Sequence, residues 1–375
     1  NCFNVSSSQS VVRLARSCKL EVVGMIYLPL GTEKSGKFFL PYQADLPLFS
    51  VPNGKSATLR RMLMKRKIVL TVAMLFVIMG VCGCGSTKEK EKAVSDQSTP
   101  TAVVYYSKKL TPESIKKVYA RANKDITGKV ALKFHRDDKY TETPEGIALL
   151  KALQQSIPNS TLVETSFGGG RAEEQEMLAR FKGQGIDFCN IDVLNADGGV
   201  AWPIKNGRLL KEAQVAKNLG NYDSLVVYAP FRGQAYPGYG GALTNVGVGL
   251  QDGKGLVHGP VLNKEPDFFE RIAEAAKVIT DHFGSHITYV TALNQVVVNC
   301  ECNMNGTEPV TLGVLASKDI VAIDKAALDL VFQQKQHAGH DLQKKVGTRL
   351  GLYQLEFMRK LGMGNINYKL VDVDE

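Results

Sequence analysis

Residues 101–375 read as an α/β domain: a largely parallel sheet with helices on both faces, built as one body or as two closely packed lobes. Three observations carry this expectation. Apolar runs of strand length alternate with amphipathic runs of helix length along the chain, the pattern of strands joined by helical crossovers. Two of the helix runs open on Thr-Pro-Glu, at Thr111-Pro112-Glu113 and Thr143-Pro144-Glu145. There a threonine cap, a proline in the first turn and an acid behind it mark a helix start. The stretch is also about 275 residues long, a size that suits one large domain or two joined lobes.

Taken in order, the strand expectations are Val103 to Tyr106, Lys129 to Phe134, Thr161 to Thr165, Phe188 to Val193, Ser224 to Ala229, Ile287 to Val298, Thr311 to Ala316 and Tyr368 to Val373. Helices are expected after Thr111 and Thr143, over Arg171 to Gly183, and over Glu265 to Phe283, where Phe268, Ile272, Ala275, Ala276 and Ile279 share one side. Asp324 to Gln333 and Leu352 to Leu361 supply two more. No internal repeat is visible.

What precedes residue 101 speaks of location. Lys65, Arg66 and Lys67 are followed by an apolar run from Ile68 to Val81 and then by Cys82-Gly83-Cys84. About 14 apolar residues suit the core of a signal peptide and fall short of the roughly 20 that a spanning helix needs. Val81-Cys82-Gly83-Cys84 resembles a bacterial lipobox, which would make Cys84 the lipidated first residue of the mature protein. Residues 62–83 are thus expected to be a lipoprotein signal peptide and residues 1–61 a non-native upstream translation. Residues 84–100, rich in Lys, Glu, Ser and Thr, read as a flexible tether, because they hold too little apolar surface to offset the entropy of ordering. The expected location is the outer side of a bacterial cell membrane, with the membrane as partner through the lipid.

Processing of that kind changes the charge argument. The whole chain has 46 basic and 37 acidic residues. Taking away the 11 basic and 3 acidic residues of 1–83 leaves 35 against 34, too nearly neutral for a nucleic-acid footprint. Of seven cysteines, Cys189, Cys300 and Cys302 remain in the body beyond Cys84. In an oxidising compartment such thiols pair, bind metal or stay inert. Cys300 and Cys302 are two apart at the end of a strand run, so they point to one side. Cys189 would have to join them to hold a single metal or an iron–sulfur cluster, which generally takes four cysteine ligands.

The segment from Gly238 to Gly249 follows a strand and enters a helix. Glycines there let backbone amides approach a ligand, and a helix start adds positive potential, which makes Gly240, Gly241 and Asn245 candidate anion contacts together with Arg232. Close backbone packing around a turn explains the same glycines equally well. It is neither a Walker loop nor a dinucleotide fingerprint. Lys133 and His135 stand at the carboxyl end of an expected strand, where ligands of parallel sheets gather. Asp192, Asp197, Asp319 and Asp324 are oxygen donors of a kind that more often caps helices or fixes turns.

Several blocks carry a family resemblance: Gly168-Gly169-Gly170-Arg171, Asp192 to Gly198, Asn221-Tyr222-Asp223, Phe231-Arg232-Gly233, the glycine segment, Asn299-Cys300-Glu301-Cys302, Leu315 to Asp319, Val321 to Asp324 and Gln354-Leu355-Glu356. In this order, from about Gly128 to Val373, the chain resembles the DUF362 family, a bacterial and archaeal group of undefined function whose members sometimes carry iron–sulfur motifs. The resemblance implies a ligand or metal site and also shows where this member departs from it. The family's His-Phe-Lys-Gly-His is here Pro230-Phe231-Arg232-Gly233-Gln234, Thr244 replaces a lysine, and Cys-Asp-Cys-Cys has become Cys300-Glu301-Cys302-Asn303. Two function classes follow. One is a lipid-anchored protein that binds a small anionic ligand or a metal centre; the other is a non-catalytic scaffold lipoprotein whose ancestral site has decayed.

Overall fold

The computed structural model describes residues 102–135, 142–234, 237–253, 266–296, 310–334, 343, 346–347 and 351–375. Its centre is one eight-stranded sheet with the order β12-β1-β11-β10-β7-β2-β3-β4. The strands are β1 (Ala102–Ser107), β2 (Val130–Lys133), β3 (Ser160–Glu164), β4 (Ile191–Val193), β7 (Ser224–Tyr228), β10 (Ile287–Leu293), β11 (Gly313–Ser317) and β12 (Tyr368–Asp372). β11 runs antiparallel to both its neighbours and the other pairings are parallel. A largely parallel sheet is therefore what the chain builds, and one sheet rather than two lobes spans the described residues.

Both faces are covered, which is why the inner strands are buried throughout. Successive residues of a strand enter opposite cores. Ala131, Val163, Leu225, Val227 and Leu315 lie in one core with α4 (Ala242–Gly247), α5 (Pro266–Phe283), α6 (Ile320–Phe332) and α7 (Tyr353–Lys360). Leu132, Leu162, Val226, Val290 and Ala316 lie in the other with α1 (Pro112–Ala122), α2 (Pro144–Gln155) and α3 (Arg171–Gly183). The two Thr-Pro starts behave as expected: Thr111 accepts from the Ser114 amide at 3.2 Å and Thr143 from the Gly146 amide at 3.1 Å.

Two ribbons lie outside the sheet, β5 (Gly199–Pro203) with β6 (Glu212–Ala216), and β8 (Arg232–Gln234) with β9 (Gly238–Gly240). The first is latched to α5. The amides of Arg208, Leu209 and Leu210 surround the buried Glu274 carboxylate at 2.6–3.2 Å. The Arg208 guanidinium grips Glu270 at 2.5 and 2.8 Å and Asp267 at 2.6 Å. Trp202 packs on His282 with ring centres 4.4 Å apart and the planes tilted by 40°. Among the described residues no helix is long and apolar enough to cross a membrane.

The strand order places the site. From β2 the chain moves through α2 to β3 and through α3 to β4, then returns to the other side of β2 as β7. The order reverses between β2 and β7, and in open parallel sheets the crevice outside such a reversal, at the carboxyl ends of the strands, is where ligands sit.

Candidate functional site

Lys133 ends β2 and is completely buried. Its ammonium lies 3.1 Å from the Glu164 carboxylate at the end of β3 and donates to the Phe134 carbonyl. A buried cation without such a partner would be very costly. Glu164 also accepts from the Thr165 amide at 2.9 Å. Gly249, just past α4, closes over the pair: a Cβ there would stand 3.2 Å from the Lys133 ammonium, and its carbonyl takes the Thr165 hydroxyl at 3.1 Å. Lys133 is therefore spent inside the protein. There it supports the strand ends from beneath.

His135 and Arg232 follow β2 and β7, the two strands on either side of the reversal, and their side chains meet, Arg232 Nη2 against His135 Nε2. A guanidinium only donates, so His135 accepts through Nε2 and carries its proton on Nδ1. Both residues are half-buried. Beside them, the loop after β3 exposes Phe167 at 72% and continues into Gly168-Gly169-Gly170. Gly169 and Gly170 have φ of 75° and 90°, a region that favours glycine. Asn195, completely buried after β4, holds this loop: its Oδ1 accepts from the Ser166 amide at 2.8 Å and its Nδ2 donates to Asp252 at 3.1 Å. No sequence motif singles out Phe167 or the loop-holding role of Asn195, although Asn195 lies within the Asp192 to Gly198 block.

The glycine segment turns out differently. The amides of Ala242 and Leu243 at the start of α4 are taken by the Asp324 carboxylate, at 2.7 and 3.1 Å, from the first turns of α6. A Cβ on Gly241 would come 2.4 Å from Asp324 Oδ1, and one on Gly240 2.5 Å from Gln234 Nε2. These two glycines make room for the protein's own side chains, so the anion contact expected of Gly240 and Gly241 is replaced by an internal carboxylate. Thr244, where the family commonly has lysine, turns back on Gly241, accepting from its amide at 3.1 Å and donating to its carbonyl at 3.0 Å. Asn245 donates to the Gly241 carbonyl at 2.9 Å, and its buried Oδ1 has no hydrogen-bond partner among the described residues. Asp324 is fully buried, and that desolvation pushes its carboxyl up to about 7 against the two amide donors.

The remaining carboxylates are structural. Asp319 caps α6, accepting from Val321 and Ala322 at 2.9 and 2.8 Å, and Asp192 accepts from the Tyr222 hydroxyl at 2.8 Å. Cys189 is a free thiol just before β4, at the amino-terminal edge of the sheet. Burial pushes it up, although a hydrogen bond at the Leu162 backbone works the other way. Cys84, Cys300 and Cys302 lie outside the described residues, and among those described no three His, Cys, Asp or Glu are arranged to hold a metal ion.

Fold and site together define an α/β domain covered on both faces, with polar side chains meeting at its topological reversal. Residues 146–329 match the DUF362 family model, described as a domain of unknown function, and this part of the chain is a DUF362 domain. The match takes in Glu164, Arg232, the glycine segment and Asp324, and begins after Lys133 and His135. No curated protein matches the chain. Among solved structures, it is similar to the lactate racemase apoprotein from Thermoanaerobacterium thermosaccharolyticum, at 11% identity and a TM-score of 0.36 over 72% of this chain and 83% of that one. A structural-genomics target from Thermotoga maritima matches at 11% identity and a TM-score of 0.36, over 68% of this chain and 60% of that one.

Proposed function

We propose that this protein is exported, lipid-anchored at Cys84, and binds a small anionic ligand, a carboxylate or a phosphate, in the crevice between the ends of β2 and β7. The observation that carries the ligand reading is the meeting of His135 and Arg232 from two strands at the reversal of strand order. Arg232 supplies a planar, permanently charged fork for an oxyanion. His135 adds its Nδ1–H, a donor on the far side of the ring from Arg232. Among the described residues the buried Asn245 Oδ1 is an acceptor without a partner. The support beneath is rigid, because Lys133, Glu164, Thr165 and Asn195 are all buried and bonded.

The scaffold reading draws on a different observation. The start of α4 is filled by Asp324 and Lys133 is neutralised by Glu164, so two positions that would attract an anion already have one. Calorimetric titration of the chain with a panel of small carboxylates and phosphates separates the two readings. Arg232→Ala should weaken the best binder by about tenfold or more, the size of a lost charged hydrogen bond, with little change in stability. Saturable binding to no member of the panel, or an affinity untouched by Arg232→Ala, would leave the scaffold reading in place. For the anchor, mass spectrometry of the membrane fraction should find an acylated N-terminal peptide beginning at Cys84; an unmodified peptide from residues 1–61 would overturn it.

A further inference from the structure

At the other end of the sheet β1 begins, β11 ends and α1 stops, and between them lies a cavity of about 480 Å³, within the size range of small-molecule sites. Tyr105, Ala122 and Met363 give it an apolar wall. Three cations stand round it: Arg121 and Lys124 at and beyond the end of α1, and Lys318 after β11. The Arg121 guanidinium lies 5.4 Å over the Tyr105 ring, a cation–π contact that holds it at the rim. Lys318 lines the cavity with its stem while its ammonium donates to the Ser285 carbonyl, with Asp125 at 3.5 Å, and burial draws its pKa down despite that acid.

The acid in the wall, Asp319, is already committed to the amides of Val321, Ala322 and Asn365 at 2.8–2.9 Å. Two helix ends reach the cavity, the negative end of α1 and the positive end of α6, each worth about half a charge and of opposite sign. They offset one another. The side chains set the field: Arg121, Lys124 and Lys318 against Asp319 and the Asp125 paired with Lys318 leave an excess of one positive charge, carried on the Arg121 and Lys124 side.

We infer that this cavity is a second ligand site, for a small organic anion whose phosphate or carboxylate head lodges among Arg121, Lys124 and Lys318 while its apolar body lies against Tyr105 and Met363. It stands independently of the β2–β7 crevice, which opens at the far edge of the sheet, a strand length of about 15 Å away.

Titration calorimetry of the full chain in a nonionic detergent, with phenyl phosphate and separately with inorganic phosphate, tests it. Phenyl phosphate should saturate a site that persists in Arg232→Ala, and bind there at least tenfold more tightly than inorganic phosphate, because the apolar wall then contributes as well as the charges. Arg121→Gln and Lys124→Gln, both on exposed positions, should each weaken it by about tenfold, and Arg232→Ala should leave it unchanged. Lys318→Met probes the inner cation; should it unfold the chain by circular dichroism, the two exposed variants still carry the test. Absence of saturable binding, equal affinity for inorganic phosphate, or indifference to Arg121→Gln and Lys124→Gln would each overturn the assignment. So would loss of phenyl phosphate binding in Arg232→Ala, which would put the ligand in the other crevice.

Discussion

The glycine segment and the ends of β2 and β7 invite opposite first impressions. Gly238 to Gly249 has the composition of a phosphate-binding turn, yet its helix start is closed by Asp324, brought 82 positions along the chain. The ends of β2 and β7 hold a lysine, a histidine and an arginine in unremarked surroundings, yet there the fold gathers polar groups from three strands. Glycine marks a place where something comes close to the backbone. It does not say whether that something is a ligand or the protein's own carboxylate.

The largest effect that can break this contrast is on the Lys133–Glu164 pair. Glu164→Gln should lower stability by about 3–5 kcal/mol, the usual cost of leaving a buried charge uncompensated, and Lys133→Met combined with Glu164→Leu should recover most of it. Denaturant midpoints measure both; equal losses in the single and double variants would mean that the pair is not the source. Next is Gly241→Ala, whose Cβ meets a carboxylate fixed by two amides and should cost about 1–3 kcal/mol. An alanine tolerated there would show that Asp324 is not held as described.

A third test is the pH dependence of Asp324. Its carboxyl titrates at about 7 in the folded chain against an ordinary value of 3.8. Between those limits the folded state keeps a proton that the unfolded state has released, so this group's share of stability is full at low pH and declines as pH rises, levelling off above about 7. Asp324→Asn should flatten that decline, and thermal melts of the two proteins across the window would reveal an unchanged slope if the assignment is wrong. The smallest effect should come from Gly240→Ala, which meets only the movable end of Gln234 and should cost less than about 1 kcal/mol. A loss as large as that of Gly241→Ala would erase the distinction between the two glycines.

Much of the sheet was legible because its signals are local. Apolar runs marked the eight strands, Thr-Pro-Glu marked α1 and α2, and the Arg171 to Gly183 expectation coincides with α3. The β5–β6 ribbon was not legible: its outer residues are small or exposed, and it is held by contacts with α5 far along the chain. The site divides in the same way. Lys133, His135 and Arg232 could each be picked out from their place at strand ends, but the pairing of His135 with Arg232 and the capture of Lys133 by Glu164 depend on strand order, which no short stretch encodes. Asp324 was legible as a cap, though the helix it serves is not its own.

One consequence concerns anyone who follows this protein by fluorescence. Its single tryptophan, Trp202, sits on the ribbon against His282, away from the main sheet. Emission changes on heating would therefore report the ribbon peeling from α5. They would run ahead of far-ultraviolet dichroism wherever that peeling precedes collapse of the sheet, and a gap between the two melting curves would be a direct reading of how firmly Arg208 and Glu274 hold the latch.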